Sequence, residues 1–192
     1  MKPMEQKFNL PTESSQTGFG MKEVEKARFG LEGHLFATLN YNDGRVEQRD
    51  LGKNIITNAA SVLLARLMKD NTEPAHGAFA LAVGLGGGGW DVLNPPPATA
   101  AQTQLNNELT RKTFQSVNFI SGLNVSATPT NVIDLTTFFN ESEAVGSLLE
   151  MGLVGGDATL TPNTGTLINY RTFPVINKPN TATLTITWRL TF

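Results

Sequence analysis

Apolar and polar residues alternate most strictly at the end of the chain. Leu184, Ile186, Trp188, Leu190 and Phe192 occupy every second position, with Thr183, Thr185, Thr187, Arg189 and Thr191 between them. A period of two puts one set on each face of an extended strand, so this segment reads as a strand with an apolar face and a threonine-rich face. A second alternation, Leu35, Ala37, Leu39 and Tyr41 against His34, Thr38 and Asn40, runs into Asn42-Asp43-Gly44 and then Arg45 to Arg49. Asp-Gly between two such runs predicts a hairpin, because both residues tolerate the backbone angles of a tight turn.

Between these segments the period changes to that of a helix. Over Asn58–Lys69, the residues Ala59, Ala60, Val62, Leu63, Leu64 and Leu67 form a broad apolar stripe. Thr57 or Asn58 is suited to cap its start, and Arg66 and Lys69 complement the dipole at its end. Such a helix is expected to pack on a sheet. The remaining elements read as strands: Ala78–Val83, Phe114–Ile120, Asn131–Phe139, Gly146–Val154 and Gly165–Phe173, separated by Gly-, Pro- and Asn-containing connections. Several short strands at this spacing predict a mainly β fold, a β-sandwich or a Greek-key-like arrangement, with one amphipathic helix.

Residues 1–28 have no periodic apolar pattern, and Pro3, Pro11, Ser14, Ser15, Gly18 and Gly20 are scattered through them. They read as an extended N-terminal arm in front of a single β-rich domain spanning 29–192. So little apolar surface does not offset the entropy of ordering such a segment alone. Phe8, Leu10, Phe19 and Met21 are therefore read as interface anchors that order the arm on a neighbouring subunit.

Composition narrows the function. Charged residues are only 17% of the chain and the net charge is −2, so there is no surplus of Lys and Arg to neutralise phosphates, and nucleic acid is not expected as a partner. No cysteine is present, which excludes disulfides and thiolate metal sites. No window approaches the apolar length of a membrane-spanning helix, and the first residues lack the apolar stretch of a secretory signal. No membrane association is expected, and synthesis in the cytoplasm is the simplest expectation.

Candidate chemistry is sparse. Gly84-Leu85-Gly86-Gly87-Gly88-Gly89 matches a dinucleotide fingerprint by letter, but Asp91-Val92-Leu93-Asn94-Pro95-Pro96-Pro97 cannot supply the helix whose amides would meet a pyrophosphate. The loop reads as a turn, and no cofactor is expected. His34 in a strand and His76 in a loop stand in no metal-ligand spacing. Asp134, Glu141 and Glu143 read as exposed carboxylates, and Glu108 and Arg111 as a local salt bridge at helical spacing. Glu150 is the anomaly, because it interrupts the apolar run Leu148-Leu149-Glu150-Met151-Gly152-Leu153. If buried, it needs a partner, and Arg111 or Arg171 would complete a structural clamp with it. Trp90, beside the glycine loop, is the candidate for contact with a host surface glycan. No catalytic or metal-binding residues are assigned, and the chain is not expected to be an enzyme.

Taken in order, Ala82-Val83-Gly84-Leu85-Gly86, a Pro-rich loop, Leu105, Glu108 and Arg111, Glu150-Met151-Gly152-Leu153, Tyr170-Arg171, Phe173-Pro174, Lys178 and the terminal Leu184–Phe192 segment resemble a group of small structural proteins of tailed phages and prophages. The resemblance covers roughly residues 50–192. It implies a virion component present in several copies, made in the host cytoplasm and associated with the tail, baseplate or fibres. A capsid decoration or neck protein is the alternative, and a glycan-binding receptor module a third. The partners implied are further copies of the chain and other virion structural proteins.

Overall fold

The computed structural model describes residues 30–69 and 76–192. The arm and its anchors Phe8, Leu10, Phe19 and Met21 lie outside the described residues. The strands form two antiparallel sheets stacked as a β-sandwich, with one helix, as the alternation implied.

The first sheet has the order β2-β1-β11-β8-β6-β7. Its members are β1 (Glu32–Tyr41), β2 (Val46–Lys53), β6 (Ser116–Ser121), β7 (Asn124–Ser126), β8 (Val132–Phe139) and β11 (Ala182–Thr191). The second has the order β3-β10-β9-β4-β5. It contains β3 (Ile55–Ile56), β4 (His76–Gly84), β5 (Glu108–Thr113), β9 (Gly146–Gly156) and β10 (Thr166–Lys178). The single described helix, α1 (Asn58–Lys69), follows β3 and packs on β10 and β4.

β11 shows how the pattern becomes structure. It is flanked by β1 and β8, and its even-numbered residues Ala182 to Leu190 are all buried while the threonines between them are half-exposed. Burying each large side chain on that face contributes about 2 kcal/mol. Trp188 is fully buried, and its indole N–H donates to Asn54 Oδ1 at 3.0 Å, so its one polar group is satisfied. Gly33 makes room for that contact, since a Cβ there would lie 1.8 Å from Asn54 Oδ1 and 2.9 Å from the indole nitrogen. The hairpin expected at Asn42–Gly44 joins β1 to β2, and Gly44 takes a φ of 86°.

The helix occupies the predicted span. Thr57 caps it: its hydroxyl accepts from the Ala60 N–H at 3.2 Å and donates to the Leu167 carbonyl of β10, which ties the cap to the sheet. The buried stripe is narrower than the sequence implied. Ala60 and Leu63 are buried, whereas Val62 and Leu64 are exposed, because the helix touches the sandwich along one line only.

Other boundaries moved for identifiable reasons. The segment read as one strand over Phe114–Ile120 straddles a change of sheet: β5 ends at Thr113 in the second sheet, and β6 begins at Ser116 in the first. β10 runs past Phe173 to Lys178, because Pro174, which has no N–H to donate, falls in a register break between Thr172 and Ile176. His76, read as a loop residue, begins β4.

The connection between β4 and β5, residues 85–107, lies along the outer face of the second sheet. The Asn58 and Val175 N–H groups donate to the Ala100 and Val92 carbonyls at 2.8 Å each, and the Thr172 hydroxyl donates to the Pro96 carbonyl at 2.7 Å. Beneath this strap a small second core forms from Ala80, Ala82, Leu105, Val154, Leu167 and Tyr170. β9 is consequently buried on both faces from Leu148 to Gly156, which explains its unbroken apolar run.

Thr137, fully buried on β8, has no hydrogen-bond partner for its hydroxyl among the described residues. Replacing it with the isosteric valine removes a desolvated, unpaired hydroxyl. Thr137→Val is expected to stabilise the domain by about 1 kcal/mol and to raise Tm by about 3 °C, measured by thermal unfolding.

Candidate functional site: a buried polar knot and an open sheet edge

Glu150 sits at the middle of β9 with no solvent exposure. It lies opposite Gly84 of β4 and Thr172 of β10, so its side chain points to the outer face, under the end of the strap. One carboxylate oxygen accepts from the Asn107 N–H at 2.8 Å. The other accepts from the Asn106 N–H and the Asn106 side-chain amide, both at 3.0 Å, and from the Tyr170 hydroxyl. Asn106 also donates to the Tyr170 oxygen at 2.8 Å. Burial, and then the bond to Glu150, push the Tyr170 phenol well above its ordinary value. Gly84 makes the cage sterically accessible, because a Cβ at that position would come within 2.6 Å of Glu150 Oε1.

The clamp expected between Glu150 and Arg111 or Arg171 does not form. Arg171 pairs with Met151 across the ladder, and side chains alternate along a strand, so its guanidinium leaves the sheet on the opposite face from Glu150. Its Nε donates instead to the Leu51 carbonyl at 2.7 Å, joining the two sheets. Arg111 is occupied by Glu108 in a bidentate pair at 2.5 and 2.7 Å, with both side chains only 1% exposed.

That pair was legible in the sequence, but its setting was not, since both residues belong to a strand rather than a helix. A register shift between Val83 and Gly84 places Glu108 opposite Gly84 and Arg111 opposite Ala82, which brings residues three apart onto one face. Arg111 also donates to the Thr164 and Thr159 carbonyls at 2.8 and 3.0 Å, and the Asn163 N–H donates to Glu108 at 3.0 Å. The ion pair thereby holds the β9–β10 loop.

Lys178 entered the sequence reading only as part of the resemblance, with no role assigned to it. It is 1% exposed, and its ammonium donates to the carbonyls of Asn140, Glu141 and Pro179 at 2.8, 2.9 and 3.3 Å. Burial lowers its pKa, which the neighbouring Glu141 and Glu143 partly oppose. Nothing in the local sequence distinguishes it from a surface lysine, because its ligands come from a turn nearly forty residues earlier.

The other titratable candidates are dispersed. His34 meets Asp50 at 2.5 Å and stacks on Phe36, and Asp134 holds Arg189 through two bonds of 2.8 Å. Glu143 accepts from Lys112 at 2.6 Å and from the Asn140 N–H at 2.8 Å, and these two bonds, largest first, depress its carboxyl pKa. Among the described residues no group of three His, Cys, Asp or Glu is arranged to hold a metal. The glycine run seats Trp90, because a Cβ on Gly86 or Gly87 would come within 2.6 Å of the indole. The ring is half-buried there.

Two surface features stand apart from these closed networks. On the β6–β7 edge, Val117 and Phe119 lie opposite Leu135 and Ile133 and so share the core-facing side of their sheet, yet they are 54% and 38% exposed. The apolar face of the first sheet thus extends beyond its cover, and Leu123 at the hairpin tip is 92% exposed. The second feature is a groove of about 350 Å³ along β5, the last strand of the second sheet, lined by Thr110, Arg111, Lys112, Thr113, Phe139, Glu143 and Leu160. No family model and no curated protein matches the chain.

The polar knot is expected to be worth much more than a surface pair. Glu150→Ala leaves two backbone amides and the Tyr170 hydroxyl buried without an acceptor and should cost about 3 kcal/mol or more in urea unfolding, with Glu150→Gln costing less because one acceptor oxygen remains. Gly84→Ala should be similarly damaging, through displacement of the carboxylate.

Proposed function

We propose that this chain is a non-enzymatic structural component of a tailed-phage particle, associated with the tail, baseplate or fibres, that assembles with further copies of itself through its arm and its β domain. The observation that carries the reading is how the side chains are used. Glu150, Tyr170, Glu108, Arg111 and Lys178, the buried titratable side chains of these networks, are committed to holding loops through hydrogen bonds inside the fold. The outward-facing resources are apolar: Leu123, Met68, Val125, Leu160 and Val117 are each more than half exposed. Exposed apolar surface on a stable sandwich supports work done by contact area. The edge strands of both sheets add backbone donors and acceptors that a neighbour can use.

The resemblance set out above supplies the particle, and the low-charge composition agrees with a protein whose surface is covered by neighbours. Labelled antibody against the chain, viewed on intact virions by electron microscopy, tests the assignment. Label at the tail or baseplate is expected, and label on the head shell would favour a decoration or neck role. Removing residues 1–20 should abolish self-assembly in sedimentation while leaving far-UV circular dichroism of the β domain unchanged.

A further inference from the structure

The β5 groove has the properties of a strand acceptor. Four successive residues of β5, Thr110 to Thr113, form one wall, so the groove follows the backbone rather than a single side chain. Among the described residues β5 is hydrogen-bonded to β4 on one side only. In an antiparallel ladder the groups on the other side point outward, ready for an added strand. Leu160, 58% exposed, gives the groove an apolar rim, while Phe139 forms its floor from within the core. An incoming strand would find backbone partners along one wall and apolar surface for alternate side chains, which is the recognition logic of β-augmentation.

The part of the chain outside the described residues contains a segment of matching pattern. In Glu5-Gln6-Lys7-Phe8-Asn9-Leu10-Pro11, Phe8 and Leu10 are two residues apart and fall on one face of an extended strand, with Lys7 and Asn9 on the other. Pro11 ends the pairing because it lacks an N–H. Phe19 and Met21 have the same spacing but sit among Gly18 and Gly20, which are poor strand formers.

Placement bears on whose groove the arm fills. The arm leaves the domain next to Glu32, which pairs with Thr191, itself opposite Val132. The groove lies by Phe139, at the other end of β8, opposite Leu184 and Leu39. Arm exit and acceptor are thus at opposite ends of the sandwich, separated by about 20 Å along the strands. That polarity suits a head-to-tail contact, in which each copy gives an arm at one end and receives one at the other. Residues 11–29 provide a tether of about 60 Å when extended, long enough to reach the next copy. From Met21 the remaining tether is under about 30 Å, which favours Phe8 and Leu10 as the seated pair.

We propose that Gln6–Leu10 of one copy adds as a strand to the edge of β5 in the next copy, seating Phe8 and Leu10 against Leu160. The proposal rests on the assembly reading above and specifies its contact. It also gives Lys112 and Glu143 a role, as the charged rim of the acceptor.

The absence of cysteine makes the test direct. Full-length chain carrying Leu10→Cys is mixed with full-length chain carrying Leu160→Cys and oxidised. A covalent heterodimer as the dominant product on a non-reducing gel is expected, in large excess over either homodimer. A chain carrying both substitutions should form a ladder of multimers, whereas closure to a fast-migrating monomer would overturn the proposal by placing the arm on its own copy. In parallel, Phe8→Asp with Leu10→Asp, and separately Leu160→Asp, should each reduce the sedimenting species to the 20.7 kDa single chain. Loss of assembly with the arm variant but not with Leu160→Asp, together with no cross-link, would overturn the groove and leave the assembly reading standing. Assembly unaffected by the arm variant would overturn both.

Discussion

A carboxylate stripped of water must be given donors, and Glu150 receives them from a segment more than forty residues away in sequence. The strap over the second sheet depends on that requirement. Asn106 and Asn107 are drawn to β9, so residues 85–107 must lie across the sheet, and the small core of Leu105, Leu167 and Tyr170 closes beneath them. With the strap in place, β9 is covered on both sides from Leu148 to Gly156 and β10 from Leu167 to Tyr170. The donors are all neutral groups, so the cage is one of directed hydrogen bonds and tolerates little rearrangement.

The same device recurs with other chemistry. Arg111, balanced by Glu108, gathers the carbonyls of the β9–β10 loop, and Lys178 gathers those of the β8–β9 turn. These three connections are therefore fixed to the body through buried polar side chains. Buried charges of this kind contribute little net stability relative to apolar replacements, yet they specify one loop geometry, because any other leaves them unpaired.

Much of the architecture was legible along the chain. The helix over Asn58–Lys69, the Asp-Gly hairpin and β11 follow from local periodicity, and each was stabilised where its pattern indicated. Glu150 was legible as an anomaly, since a carboxylate in an apolar run demands either exposure or partners. Its partners were not legible, because arginine is the obvious counter-ion by charge, whereas the fold satisfied it with amides and a phenol. Glu108 and Arg111 were paired correctly from their helical spacing, and a bulge that no local pattern announces made the same spacing work on a strand. The Val62 and Leu64 faces were expected to be buried and are not, because periodicity gives the width of an apolar stripe but not the width of the surface that receives it.

By itself, the order of residues determined which segments extend, which one coils and which faces shun water, since these depend on neighbours two to four positions apart. It also determined that disulfides are unavailable, since the chain has no cysteine. Only the tertiary structure decided that β5 and β6 belong to different sheets, that the strap crosses the outer face, and that no described residue covers the apolar face of β6 or the β5 groove. Those outcomes depend on pairing between distant segments, where the energy lies in register and in the match of donors to acceptors, and neither quantity is written in local composition.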